Sequence, residues 1–278
     1  MCLVFNISRL RSESIKEDDV VYASTEYGIV WKKLDEIIEE ESRKQPPGTF
    51  INAYVFEEEA EHFVQVLKNE LKRREGQTTV CEIGFNCGHS TAVWITTGGS
   101  RVRVFSFDLF NQFYSTSCRK VLSEEATRRG STLTFIPGSS LDTIPAMSLR
   151  NSPPTCDLIL VDGRHNGAYP INDLQNMLAL ASPHASILMD DARCTSWWCA
   201  DVTNAWAWAV NSGFVEEERC FEYNYEDTRR HDGRIDPTKG SRGWCYGHAK
   251  ASCPICPPAI GRDIKTCNCR YVLPGFPT

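Results

Sequence analysis

The stretch TTVCEIGFNCGHST, residues 78–91, decides how the chain is read. Val80, Cys81 and Ile83 form a short apolar run, Gly84 and Gly88 bracket a turn, and Ser90 to Trp94 continue at helical spacing. A buried strand feeding a glycine turn and a helix start presents free backbone N–H groups, with a partial positive charge, above the strand end. That place suits an anionic group of a small ligand. A dinucleotide fingerprint would require G-x-G-x-x-G, whereas three residues separate Gly84 from Gly88 and Asn86 stands where a second glycine would be. The pattern is instead E-x-G-x-x-x-G, opened by Glu82.

Downstream, strand and helix alternate. Strands are expected near 78–83, 102–107, 132–136, 156–161 and 185–190, with helices near 88–97, 117–129, 139–149 and 168–181, and a further strand from Phe214 to Tyr225. Such alternation implies βαβ units, a doubly wound, mostly parallel Rossmann-like sheet, and ligands beyond the carboxyl ends of the strands. Upstream, two amphipathic helices precede the sheet, about 26–44 and 57–74, the second with Ala60, Phe63, Val64, Leu67 and Leu71 on one face and charges opposite. The expected division is an N-terminal helical extension (1–56), a ligand-binding domain (57–222), and a charged loop, last strand and Cys-rich tail (223–278) of the same domain. The polar, glycine-containing stretch Glu226 to Gly243 reads as a loop.

The strand ends carry the chemistry. The second strand ends in Asp108, 24 positions beyond Gly84, where a carboxylate can accept ribose hydroxyls. The third runs into Gly138, Ser139 and Ser140, the fourth into Asp162, Gly163, Arg164 and His165, and the fifth into Asp190 and Asp191. A lone Asp after a strand is ordinarily a cap or turn residue. Three at two neighbouring ends repel one another unless a cation lies between them, and hard oxygen donors favour Mg²⁺, Ca²⁺ or Mn²⁺.

The order of these motifs over about residues 57–215 resembles the class I S-adenosylmethionine-dependent methyltransferases. CDLILVDGRHNGAYPINDLQNMLALASPHASILMDDA in particular is similar to the metal-dependent O-methyltransferases, both catechol O-methyltransferase-like and macrocin-type. The resemblance implies a cofactor site of Glu82, Gly84, Phe85, Asn86, Gly88, Ser90, Asp108, Gly138, Ser139, Ser140 and Asp162. It also implies a divalent cation, Mg²⁺ by preference, on Asp162, Asp190 and Asp191. His165 stands where the catechol-type enzymes have a lysine base; a neutral imidazole near physiological pH suits that task. Asp162 and His165 are thus the expected catalytic residues. The implied reaction is methyl transfer to a hydroxyl of a small molecule. The alternatives are metal-independent N- or S-methylation, or a non-catalytic cofactor-binding or interaction protein on the same fold.

A net charge of −6 provides no basic field for nucleic acid or anionic membrane. No apolar run approaches the roughly 18 residues needed to cross a bilayer. Homodimerisation is left open. The 13 cysteines are odd in number and spread through apparent strands, as at Cys81 and Cys156, which reads as reduced core thiols and a cytoplasmic protein. In the tail, Cys253 and Cys256 have C-x-x-C spacing, and Cys267 with Cys269 would complete a structural zinc site; disulfides or free thiols are the alternatives. Trp197 and Trp198, beside the acid pair, either wall a planar substrate or pack their own loop.

Overall fold

The computed structural model describes residues 25–47, 49, 55–224, 240–250, 260–263 and 268–271, the last two segments as backbone only. Two helices come first, α1 (Glu26–Ser42) and α2 (Glu57–Arg73). The alternating part follows: β1 (Thr78–Ile83), α3 (His89–Gly98), β2 (Val102–Asp108), α4 (Ser115–Arg129), β3 (Thr132–Pro137), α5 (Ser140–Ser148), β4 (Cys156–Val161), α6 (Tyr169–Leu178) and β5 (Ala181–Asp190). Then come α7 (Cys199–Asn211), β6 (Val215–Asn224), β7 (Ser241–Ala249) and a separate antiparallel pair, β8 (Ile260–Asp263) with β9 (Asn268–Tyr271). None of the described helices is long and apolar enough to cross a membrane.

The seven main strands form one sheet in the order β3-β2-β1-β4-β5-β7-β6, parallel from β3 to β5. β7 enters antiparallel between β5 and β6. The expected doubly wound sheet is therefore present. Its order reverses between β1 and β4, and in open sheets of this kind ligands bind in the crevice above the carboxyl ends of the strands at such a switch point. β1 and β4 are buried on both faces, as central parallel strands are. Alternate side chains divide the core in two. Val80, Leu158, Leu160 and Leu188 pack beneath α1 to α4, while Cys81, Ile83, Ile159 and Ile187 pack beneath α5 to α7.

Three expectations change. The stretch read as a loop to Gly243 already carries β7 from Ser241, because small residues and glycine, which score as loop, are here buried between two strands. Residues 225–239 of that stretch lie outside the described residues. Helix α2 is not charged on all of its outer face: Glu59 and Glu70 are buried and ion-paired, Glu70 with Arg73 and Arg74.

The third change concerns the cysteines. All eight whose side chains are described form disulfides: Cys81–Cys156, Cys87–Cys118, Cys194–Cys199 and Cys220–Cys245. Neighbouring strands and the packing of α4 on the β1 turn bring these sulfurs together, which spacing along the chain does not reveal. Reduced core thiols are thus overturned, and with them the argument for the cytoplasm. Intact mass measured without reductant should be lower than after reduction by at least the eight hydrogens that four bridges remove; equal masses would contradict the pairing. The expected zinc ligands Cys253, Cys256 and Cys267 lie outside the described residues, and of Cys269 only the backbone is described.

Candidate active site

The glycine turn is held from three sides. Gly84 has φ +95°, and a Cβ there would sit 1.8 Å from the Asp162 carbonyl oxygen, so only glycine lets the ends of β1 and β4 approach. The Asp108 carboxylate reaches across from β2: its Oδ2 accepts the N–H groups of Phe85 (2.7 Å) and Asn86 (3.1 Å), and its Oδ1 that of Phe110 (2.7 Å). Asn86 is itself left-handed (φ 53°) and is gripped by the N-terminal end of α4, where the Tyr114 hydroxyl donates to its Oδ1 at 2.5 Å. Gly88, also left-handed, opens α3, whose first turn carries no acidic side chain to compete for its free N–H groups.

Glu82 lies under the turn and is fully buried. It accepts hydrogen bonds from Ser90 (2.9 Å), Thr91 and Trp94 (2.8 Å), fastening α3 to β1. Burial pushes its carboxyl up against those four-fold hydrogen-bonding partners, Ser106 included. The Glu82 and Ser90 side chains therefore support the turn rather than facing the crevice, and Phe85 is buried against Phe110 and Phe135. At the next strand end, the Gly138 N–H donates to the Asp108 carbonyl (3.0 Å), and the Ser140 hydroxyl donates to Asp173 at 2.6 Å.

Burial raises the Asp173 carboxyl to about 6, although its bond from Ser140 works the other way. A folded-state value above the unfolded one favours the fold at low pH, and that contribution is lost as pH rises through 6. Asp173→Asn keeps an acceptor for Ser140 and should raise the melting temperature at pH 7.5 but not at pH 4; the largest gain is about 3 kcal/mol. No difference between wild type and variant at pH 7.5 would refute this.

The acids at β4 and β5 meet on His165. Its Nε2 lies 3.2 Å from Asp162 Oδ1 and its Nδ1 3.0 Å from Asp191 Oδ2. Burial depresses the imidazole, but hydrogen bonds to both carboxylates outweigh it and hold the ring well above its ordinary value. The expected neutral imidazole is thus corrected: flanked by two acids, it keeps its proton. Burial, then the charge of Asp190, raise Asp162 to about 8, while Asp191 is held low despite burial by His165, Arg242 and Trp198.

Asp190 turns elsewhere. Its Oδ1 lies 3.6 Å from Arg242 Nη2, and Arg242 bonds Glu59 at 2.7 Å. The three predicted metal ligands therefore do not gather at one point. Among the described residues, the groups whose ligand atoms come within 4.8 Å are Asp191 with Cys194 and Cys199, and Glu217 with Cys220 and Cys245; in both, the sulfurs are bridged. Glu59, Arg242, Asp173 and Tyr114 belong to the surroundings of the site without having been marked in the sequence. At the rim Trp197 is 80% exposed and edge-on to Trp198, so one tryptophan faces solvent and the other supports Asp191.

Residues 81–192 match the model of a family described as a methyltransferase domain. No curated protein matches the chain. Solved structures do. An O-methyltransferase from Bacillus cereus in complex with SAH is 15% identical with TM-score 0.57, over 79% of this chain and 91% of that one. A cofactor-bound protein from MTB is 15% identical with TM-score 0.57, over 87% and 100%. A methyltransferase from Geobacter sulfurreducens is 12% identical with TM-score 0.51, over 80% and 89%. At these identities the likeness establishes the fold.

Proposed function

We propose that the chain transfers the methyl group of S-adenosylmethionine to a hydroxyl of a small molecule; the match of residues 81–192 to a methyltransferase domain and the fold shared with an O-methyltransferase in complex with SAH support this reading. One observation carries this reading: the glycine turn and the acid cluster are adjacent strand ends, touching at Gly84 and Asp162. Cofactor and acceptor sites thereby share one crevice. The reactive methyl comes with the cofactor, so the protein's task is to hold two reactants in line and manage one proton.

In this reading the N–H groups of the Gly84–Gly88 turn and of α3 face the methionine end, Asp108 faces the ribose, and the Gly138–Ser139 turn faces the adenine. His165 keeps its proton and its Nε2 bond to Asp162 Oδ1, and the hydroxyl proton passes to the other carboxylate oxygen of Asp162. Asp162, Asp190 and Asp191 are the residues that would hold a divalent cation, with Mg²⁺ preferred. All are hard oxygen donors, but as placed they do not fit one ion: His165 holds Asp162 and Asp191, and Asp190 faces Arg242.

The test is transfer of radiolabelled methyl to a panel of vicinal diols, catechols and single phenols, with and without chelator. Labelling of a hydroxyl is the expected result, and its loss with chelator would mean that the acid cluster rearranges to hold an ion. Labelling of amines or thiols alone would replace O-methylation by the second reading; cofactor binding with no transfer would leave a binding protein.

A further inference from the structure

The glycine turn after β1 is tied to the neighbouring helix by a covalent bond. Cys87 stands between Gly84 and Gly88, and its bridge to Cys118 reaches the start of α4. Both residues flanking Cys87 are left-handed, Asn86 at φ 53° and Gly88 at φ 90°. Such a turn persists only where its surroundings over-determine it. α4 supplies much of that constraint. Tyr114 and Ser115 hydrogen-bond Asn86, Cys118 holds Cys87, and Leu122 fills the place a Cβ on Gly88 would need.

The other described bridges fasten backbone that is already held. Cys81–Cys156 and Cys220–Cys245 join strands that a ladder of hydrogen bonds pairs, and Cys194–Cys199 closes a short loop on itself. Cys87–Cys118 alone among the four joins the glycine turn to a separate element, across 31 positions. Both of its residues are fully buried, so a thiolate reaches the sulfurs only when the turn moves off α4. A nucleoside held by the turn opposes that movement.

We infer that the Cys87–Cys118 disulfide is a positioning bond for the cofactor, which couples affinity for S-adenosylmethionine to the redox state of the chain. This rests on the cofactor site proposed above. Reduction by a dithiol such as dithiothreitol breaks the S–S bond, delivers two electrons and two protons to leave two thiols, and oxidises the reagent to its cyclic disulfide. The turn is then held by hydrogen bonds and packing alone, and its N–H groups lose their fixed direction. The coupling is reciprocal: the factor by which reduction weakens cofactor binding is the factor by which bound cofactor resists reduction of this bridge.

Two measurements test this. In the first, calorimetric titration with S-adenosylhomocysteine compares wild type with Cys87→Ser/Cys118→Ser and with Cys220→Ser/Cys245→Ser, each shown by its melt to be folded at the titration temperature. The first pair should bind at least about tenfold more weakly, and the second within about threefold of wild type. In the second, wild type is equilibrated in dithiothreitol redox buffers with and without saturating S-adenosylhomocysteine, and the thiols at each bridge are counted by alkylation and peptide mass. The nucleoside should move the midpoint of Cys87–Cys118 to lower potential by about 30 mV or more, the equivalent of tenfold for a two-electron couple, and leave that of Cys220–Cys245 in place. If Cys87→Ser/Cys118→Ser does not fold, the second measurement decides alone. A bridge that only adds stability would lower the melting temperature without changing affinity or midpoint. That result, or an equal loss or shift at both bridges, would overturn this inference and leave the cofactor site standing. No S-adenosylhomocysteine binding by oxidised wild type would overturn the cofactor reading and this inference with it.

Discussion

Replacing Gly84 by alanine is expected to destroy cofactor binding and to destabilise the whole domain. The added Cβ would meet the Asp162 carbonyl oxygen at 1.8 Å, a backbone atom that cannot swing aside as a side-chain tip would. The residue would also have to hold φ +95°, which costs an L-amino acid about 1–3 kcal/mol by itself. Relief requires β1 and β4 to separate at the sheet's switch point, where both are buried on either face. The combined loss should reach about 3 kcal/mol or more in urea unfolding, with S-adenosylhomocysteine affinity reduced at least about a hundredfold. Gly76 is the natural control, because it too has positive φ (85°) yet a Cβ there meets nothing within 4 Å. A Gly84→Ala protein as stable as Gly76→Ala would mean that the two strand ends are farther apart than described.

The second large effect is expected at His165. Its ring joins Asp162 to Asp191, and nothing else among the described contacts of the two carboxylates bridges them. His165→Gln retains a polar group of similar reach but loses the positive charge that favours the ionised form of Asp162. Methyl transfer to the acceptor identified by the labelling assay should fall by about 10²–10⁴ in kcat, the range of a lost acid–base group. S-adenosylhomocysteine affinity should change by less than about threefold, since His165 contacts no residue of the glycine turn in the described structure. A fall in cofactor affinity equal to the fall in kcat would assign the residue to binding instead.

Much of this was legible in the sequence, for a local reason. β1 and β4 are short, mostly apolar and β-branched segments, TTVCEI and CDLILV, each running into a glycine-containing turn, so both bounds coincide with the observed strands. The acids at the strand ends followed from the parallel sheet, which places every such end on one rim. Arg242 was hidden because its strand lies beyond an insertion and reads SRGWCYGHA, a composition that suggests loop until a second strand is seen on each side. Glu59 was hidden for a different reason. On a helix whose apolar face is plain, a glutamate beside Ala60 scores as solvated, and only a buried partner 183 positions away makes it otherwise. The same non-local pairing concealed the disulfides, since Cys81 and Cys156 become neighbours only once β1 and β4 pair. The role of His165 was read from its position in the motif, but its protonation depends on Asp191, which another strand supplies.

The central claim is that the crevice above β1 and β4 is where a sulfonium nucleoside binds, with the acid cluster along its wall. A crystal structure with S-adenosylhomocysteine tests it most directly. The account predicts the ribose against Asp108 and the sulfur facing the Asp162–His165 side of the crevice. Density for the nucleoside at any other place, or a protein that takes up none at saturating concentration, would contradict it.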